Sequence, residues 1–211
     1  MPMTDNSYPF LRLSGDPLER GRLYGRTFRS RIDLSIESYG KMFRDYSGIS
    51  WEDARRRAME YLPFIREYNP KTILEMEGIA EGSGRDFKDI LTLNSRSEIV
   101  LAANVDGCTC FGVTPDMSSD GKTYLCQTWD WIRRQEGSLV VLEIEQPPEP
   151  SILMIAEAGV VSGKGLNSSG IGVGFNALTT GTGAPGVPVH ILLRGLLDSP
   201  HLADAVQAVA V

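Results

Sequence analysis

Cys108 directly follows a glycine in the run Asp106-Gly107-Cys108-Thr109, a pairing that could carry covalent chemistry. Glycine lets the backbone bend sharply and presents an unhindered carbonyl to the side chain of the next residue. Attack of the Cys108 thiol on the Gly107 carbonyl moves the acyl group from nitrogen to sulfur. Hydrolysis of that thioester then frees a chain that begins at Cys108. Thiol and α-amino group would share one residue. Their reference pKa values, roughly 8.5 and 7.7–8.0, let each carry protons near neutral pH without a histidine. On residue type alone, a small buried cysteine at the start of a strand is the commoner role for such a position.

Two further positions stand out. Asp130 lies between Trp129 and Trp131 at the end of a β-type run, QTWDW. A carboxylate in so apolar a wall is costly unless it has a partner; the other reading is an aspartate capping the turn before Ile132-Arg133-Arg134. Asn176, in GFNAL, follows Gly170, Gly172 and Gly174, which let one strand pass close to another backbone; a plain turn asparagine is its alternative. The three glycines also spell a crude dinucleotide fingerprint, but no helix with a downstream acid follows, so no cofactor is expected. Cys108, Cys110 and Cys126 are too few for a disulfide framework. They lack paired CxxC spacing, and His190 and His201 lie far along the chain, so no metal is expected either. Asn167-Ser168-Ser169 matches a glycosylation acceptor, irrelevant to a chain expected in the cytoplasm.

Elements of two kinds must position these residues. From Asp16 to about Asn104 the apolar spacing is helical, with Asp16, Ser50, Asn69 and Asp86 at the expected starts. The run DFKDILTLNSRSEIVLAAN predicts one long helix with Phe87, Ile90, Leu91 and Asn94 on a single face. After DGC the texture changes to short β-type runs: CTCFGVT, TYLCQTWDW, SLVVLEIE, SILMIAEAG and GIGVGFNAL. Asp120-Gly121 predicts a hairpin and QPPEP a turn. VPVHILLRGLLDS and PHLADAVQAVAV predict two closing helices, the second running to Val211 without a stop signal. The chain is therefore expected to be a fragment. A natural short protein is the alternative.

Composition narrows the function. With 42% apolar and 23% charged residues and a formal net charge of −6, the 211-residue chain can bury a core and presents no basic stripe, which argues against a nucleic-acid partner. No stretch approaches a membrane-spanning length and no secretory leader opens the chain, so a soluble cytoplasmic protein is expected.

Five blocks, GDPLERGRLYGRTFR, EMEGIAEGSGRDFKDILTLNSRSEI, DGCT, QTWDW and GKGLNSSGIGVGFNAL, resemble in order and spacing the acyl-coenzyme A:6-aminopenicillanic acid acyltransferase family, also called isopenicillin-N acyltransferase-like. The resemblance implies an α+β fold, the αββα sandwich of N-terminal-nucleophile hydrolases. It also implies an inactive precursor that cuts itself between Gly107 and Cys108. Residues 1–107 would form a helical small subunit, and 108–211 would begin the catalytic large subunit, with the second sheet expected to be missing. By the same resemblance Cys108 is the nucleophile, Asp130 orients the new α-amino group, and the Asn176 backbone amide helps form an oxyanion hole. Gln127 stands where penicillin V acylases, a related branch, carry an arginine, which points away from that branch. The family completes its site with an asparagine and an arginine beyond Val211.

The activity implied is that of an amidohydrolase or acyltransferase acting on a linear amide or acyl conjugate through an S-acyl-Cys108 intermediate, hydrolysis being favoured because water is always present. The partners implied are a small-molecule amide or acyl donor and the two subunits of the chain's own precursor; association with a second copy is left open. The 211-residue form is expected to stay uncleaved and inactive. The alternative is an interaction module that keeps the fold and never matures. Tyr24, Arg26 and Arg29 of GRLYGRTFR read as helix packing and surface charge rather than substrate contacts.

Overall fold

A side-chain oxygen ahead of a helix and an acid three residues later satisfy each other's orphan amides. Asp16 with Glu19, Ser50 with Asp53, and Asp86 with Asp89 all form this reciprocal cap. Asn69 does not cap; its Nδ2 donates to Asp198 Oδ2 instead, at 3.1 Å. The computed structural model describes residues 8–100, 108–177 and 184–210, so Gly107 and the rest of the Asp106-Gly107 approach to Cys108 lie outside it. A short strand β1 (Phe10–Leu13) leads into α1 (Pro17–Thr27), α2 (Arg29–Ser47), α3 (Trp51–Ala58), α4 (Leu62–Tyr68), α5 (Pro70–Ser83), α6 (Phe87–Asn94) and α7 (Arg96–Val100). Then come β2 (Cys108–Val113), β3 (Tyr124–Trp129), β4 (Leu139–Ile144), β5 (Ile152–Glu157), β6 (Lys164–Asn167), β7 (Gly172–Val173), α8 (Val189–Asp198) and α9 (Leu202–Ala208). This is an α+β architecture.

The long helix expected from Phe87 onward breaks at Ser95. Asn94 Nδ2 donates back to Ile90 O at 2.8 Å and across to Gly159 O at 2.9 Å, while its Oδ1 accepts from Val161 N at 3.0 Å. A side chain that satisfies a neighbouring loop's backbone from the helix end pins the chain there. β1 was not foreseen, because its partner β4 arrives some 130 residues later.

The five β-type runs do not share one sheet. β1, β4, β5, β6 and β7 lie side by side in that order, β1 parallel to β4 and the rest antiparallel, while β2 and β3 pair only with each other. Val140, Leu142, Ile144, Ile152, Met154 and Ala156 bury one face of the larger sheet in the core with the helices. The register aligns Phe10, Val141, Ile155 and Lys164 across the opposite face. Phe10, Leu153 and Leu166 remain exposed there.

Helices α1 and α5 approach at glycines. A Cβ on Gly21 would stand 2.1 Å from Glu75 O, and one on Gly78 2.2 Å from Leu18 O, so backbone meets backbone and no larger residue fits. This close pair is what the GRLYG and EGIAEG spacings specify. Beneath it Glu75 accepts from Arg20 and from Arg194 of α8, at 3.3 and 3.1 Å, all three side chains being buried. Tyr24 is fully buried and its hydroxyl accepts from Gly159 N at 3.0 Å, whereas Arg26 and Arg29 are exposed. Asn167 is also buried: its Nδ2 donates to Leu197 O and Ser199 O, joining β6 to the end of α8, so this sequon asparagine is a structural bracket.

Candidate active site

Alternation puts Cys108 and Cys110 on one side of β2, and antiparallel pairing sets them opposite Trp129 and Gln127 of β3. That side of the hairpin lies against β7 and its continuation. Leu125 comes within 2.9 Å of where a Gly172 Cβ would be, and Cys110 Sγ within 2.4 Å of a Cβ on Gly174, so the glycines of this strand admit the hairpin side chains. Gly170 serves differently, in a turn at φ +84°.

Gln127 fastens the contact. Its Oε1 accepts from Phe175 N at 2.8 Å and its Nε2 donates to Phe175 O at 2.5 Å, so one side-chain amide imitates a strand partner. The next residue, Asn176, donates from Nδ2 to Cys108 O at 2.9 Å. The structure therefore joins Asn176 to Cys108 through its side-chain amide. Cys108 is half-buried and all three cysteines are free. Replacing Gln127 by leucine should strand the Phe175 amide and carbonyl, costing about 1–3 kcal/mol in urea unfolding. An unchanged unfolding curve would show that the bracket contributes nothing.

Asp130 follows β3 directly and is exposed. It lines a cavity of about 470 Å³ with Tyr8, Trp129, Trp131, Arg133 and Ile155 among others. Its tryptophan neighbours supply the apolar wall anticipated for it, but among the described residues its carboxylate has no hydrogen-bond or ion-pair partner.

Behind Trp129 lies a polar cluster that sequence reasoning did not single out. The Lys164 ammonium sits 3.1 Å from the Trp129 ring centroid. Fully buried Glu157 accepts from Tyr39 OH at 2.7 Å and pairs with Arg96 Nη2, while Arg96 Nε donates to Tyr39 OH at 2.7 Å. Trp131 Nε1 also donates to Tyr39 OH, at 3.1 Å. Burial draws the Lys164 ammonium down to about 8, against the attraction of Glu157. Burial, with the charges of Arg96 and Lys164, holds His190 well below the usual imidazole range, so its ring is neutral at pH 7. His190 Nε2 faces Ser97 Oγ at 3.1 Å, and its ring meets Phe175 edge-on. The available signal was a lone lysine between Gly163 and Gly165 at a strand start, which has no motif. Among the described residues no group of three or more His, Cys, Asp or Glu side chains is arranged to hold a metal, and no helix is long and apolar enough to cross a membrane.

A helix-covered sheet carrying a separate hairpin whose first residue is a half-buried free cysteine defines an α+β protein. No family model matches the chain. Over 199 residues, 92% of this chain and 54% of the relative, it is 30% identical to the acyl-coenzyme A:6-aminopenicillanic-acid-acyltransferase 40 kDa form of Emericella nidulans. It is also 27% identical over 121 residues to protein dcd1A of Dictyostelium discoideum, covering 47% of this chain and 26% of that protein. The chain thus spans about half the length of the first of these relatives and a quarter of the second. The first likeness supports the family recognised in the sequence blocks, the isopenicillin-N acyltransferase-like family.

Proposed function

We propose that this chain carries the nucleophile end of an N-terminal-cysteine amidohydrolase or acyltransferase, activated by cleavage between Gly107 and Cys108. The observation that carries the reading is the Asn176 amide bound to the Cys108 carbonyl, at the mouth of a hairpin clamped by Gln127. It holds the first residue of β2 in a fixed orientation, as a nucleophile at a chain end requires. The likeness to an acyltransferase over 92% of the chain points the same way. The layering of helices, sheet and hairpin is compatible with the first three layers of an αββα sandwich.

In this reading the Cys108 thiol attacks the Gly107 carbonyl, the peptide nitrogen leaves as the new α-amine, and water releases the small subunit. In turnover the same sulfur takes an acyl group from a linear amide or acyl conjugate while the α-amine passes the thiol proton to the leaving nitrogen. Water or an acceptor amine then resolves the S-acyl-cysteine. Asp130, one residue beyond the cross-strand partner of Cys108, holds the ammonium form of that amine. No cofactor takes part. The substrate is a small acyl donor.

Intact-mass measurement and N-terminal sequencing of the full-length protein test this: two pieces are expected, the larger starting at Cys108, whereas the 211-residue stretch by itself is expected to stay uncut. Incubation with short and long acyl thioesters and amides, followed by peptide mass mapping, should find the acyl group on Cys108. One uncut chain with no acyl adduct would sink the proposal and leave a fold that only binds. Asp130→Asn should lower maturation or turnover by more than about tenfold, since the ammonium loses its charged partner; a folded variant at the wild-type rate would remove Asp130 from the mechanism.

A further inference from the structure

We propose that Lys164 is a positioning residue for Cys108, an ammonium held against the hairpin so that the cysteine reacts as thiolate. The inference rests on the reading of Cys108 as nucleophile. It starts from register. Cys108 is the direct cross-strand partner of Trp129, on the side of the hairpin that faces the larger sheet, and the Trp129 ring carries the Lys164 ammonium at 3.1 Å. Opposed residues of an antiparallel pair have Cβ atoms only about 4.5–5.5 Å apart, so Cys108 and Lys164 have Trp129 as a common neighbour. An aromatic face both attracts an ammonium and fixes where it sits.

Glu157 is the strongest charge acting on this cation, and Cys108 is also within its reach. Lys164 stands opposite Ile155, so Glu157, two residues further along β5, is its diagonal neighbour on the same face. Glu157 is already engaged by Arg96 of α7 and Tyr39 of α2. Arg96 also feels Glu98, and His190 of α8 faces the cluster as a neutral ring. Among the described residues Lys164 makes no ion pair. Its charge couples to Glu157, Arg96 and Cys108, and a nearby cation favours the thiolate.

The test measures the thiol itself. In a Cys110→Ser, Cys126→Ser background, alkylation of Cys108 by iodoacetamide is followed by mass spectrometry from neutral to alkaline pH. Lys164→Met should move the midpoint of the reactivity curve upward by about half a pH unit or more and slow alkylation at neutral pH about threefold, whereas Lys164→Arg should keep the wild-type midpoint. The same midpoint in Lys164→Met and wild type overturns the proposal. If Lys164→Met does not fold, the reciprocal experiment decides: the Lys164 amine, followed by NMR, should titrate lower in Cys108→Ala than in wild type, and an unchanged midpoint overturns the proposal. Alkylation needs no turnover, so a shifted curve in a protein that neither cuts itself nor acylates would count against the enzymatic reading alone.

Discussion

In the full-length protein, Cys108→Ala is expected to leave the chain in one piece and to bring acyl release down to background, a loss of at least about a thousandfold. Both effects follow from one atom. The sulfur is the attacking group in the self-cleavage and in every later turnover, and alanine offers neither a nucleophile nor a proton to exchange. The fold should survive the change, because Cys108 is only half-buried and its backbone carbonyl can still accept from Asn176 Nδ2. Urea unfolding within about 1 kcal/mol of wild type is expected for a substitution of this kind. Electrophoresis and a release assay with the best acyl donor provide the readouts. A variant that still splits at this junction, or that turns over at more than a few per cent of wild type, would remove Cys108 from the chemistry. Neither of the other cysteines could substitute for it: Cys110 is packed against Gly174, and Cys126 is on the outer side of the hairpin.

Arg96→Met should destabilise the protein by about 3–5 kcal/mol, the largest effect anticipated for one substitution outside the site. Arg96 is buried, and its guanidinium binds Tyr39 OH, Leu93 O and Glu157. Removing it leaves the Glu157 carboxylate fully buried with Tyr39 as its remaining side-chain donor. That stranded charge, rather than the lost attraction, is the source of the cost. The double change Arg96→Met, Glu157→Leu should therefore recover more than half of the loss, since two apolar side chains strand no charge. Denaturant midpoints of the two variants decide the matter. A single variant that loses less than about 1 kcal/mol would mean that water reaches Glu157 and that the cluster is less dry than its geometry implies.

What the sequence determined by itself was local or carried by short blocks. Three of the four expected helix caps form, because a reciprocal cap needs only four residues. Four of the five β-type runs became six-residue strands, while GIGVGFNAL kept only the short β7 and β6 lay outside every run; the glycine pairs at 21 and 25 and at 78 and 82 set helix against helix. The family blocks brought Cys108, Asp130 and Asn176 forward as candidates. Tertiary structure decided what depends on distant partners. Asn69 turned from a cap to Asp198, and Asn94 ended its helix by reaching Gly159, since a long-range hydrogen bond won over a local one. Strand β1 exists only because β4 pairs with it across some 130 residues. Gln127 read as a missing arginine and proved to be a clamp on Phe175, and Lys164 carried no motif at all. A lysine's charge acquires meaning only from what surrounds it. Here an indole face, an engaged glutamate and a cysteine lie far apart in sequence and are assembled by two sheets meeting at β7.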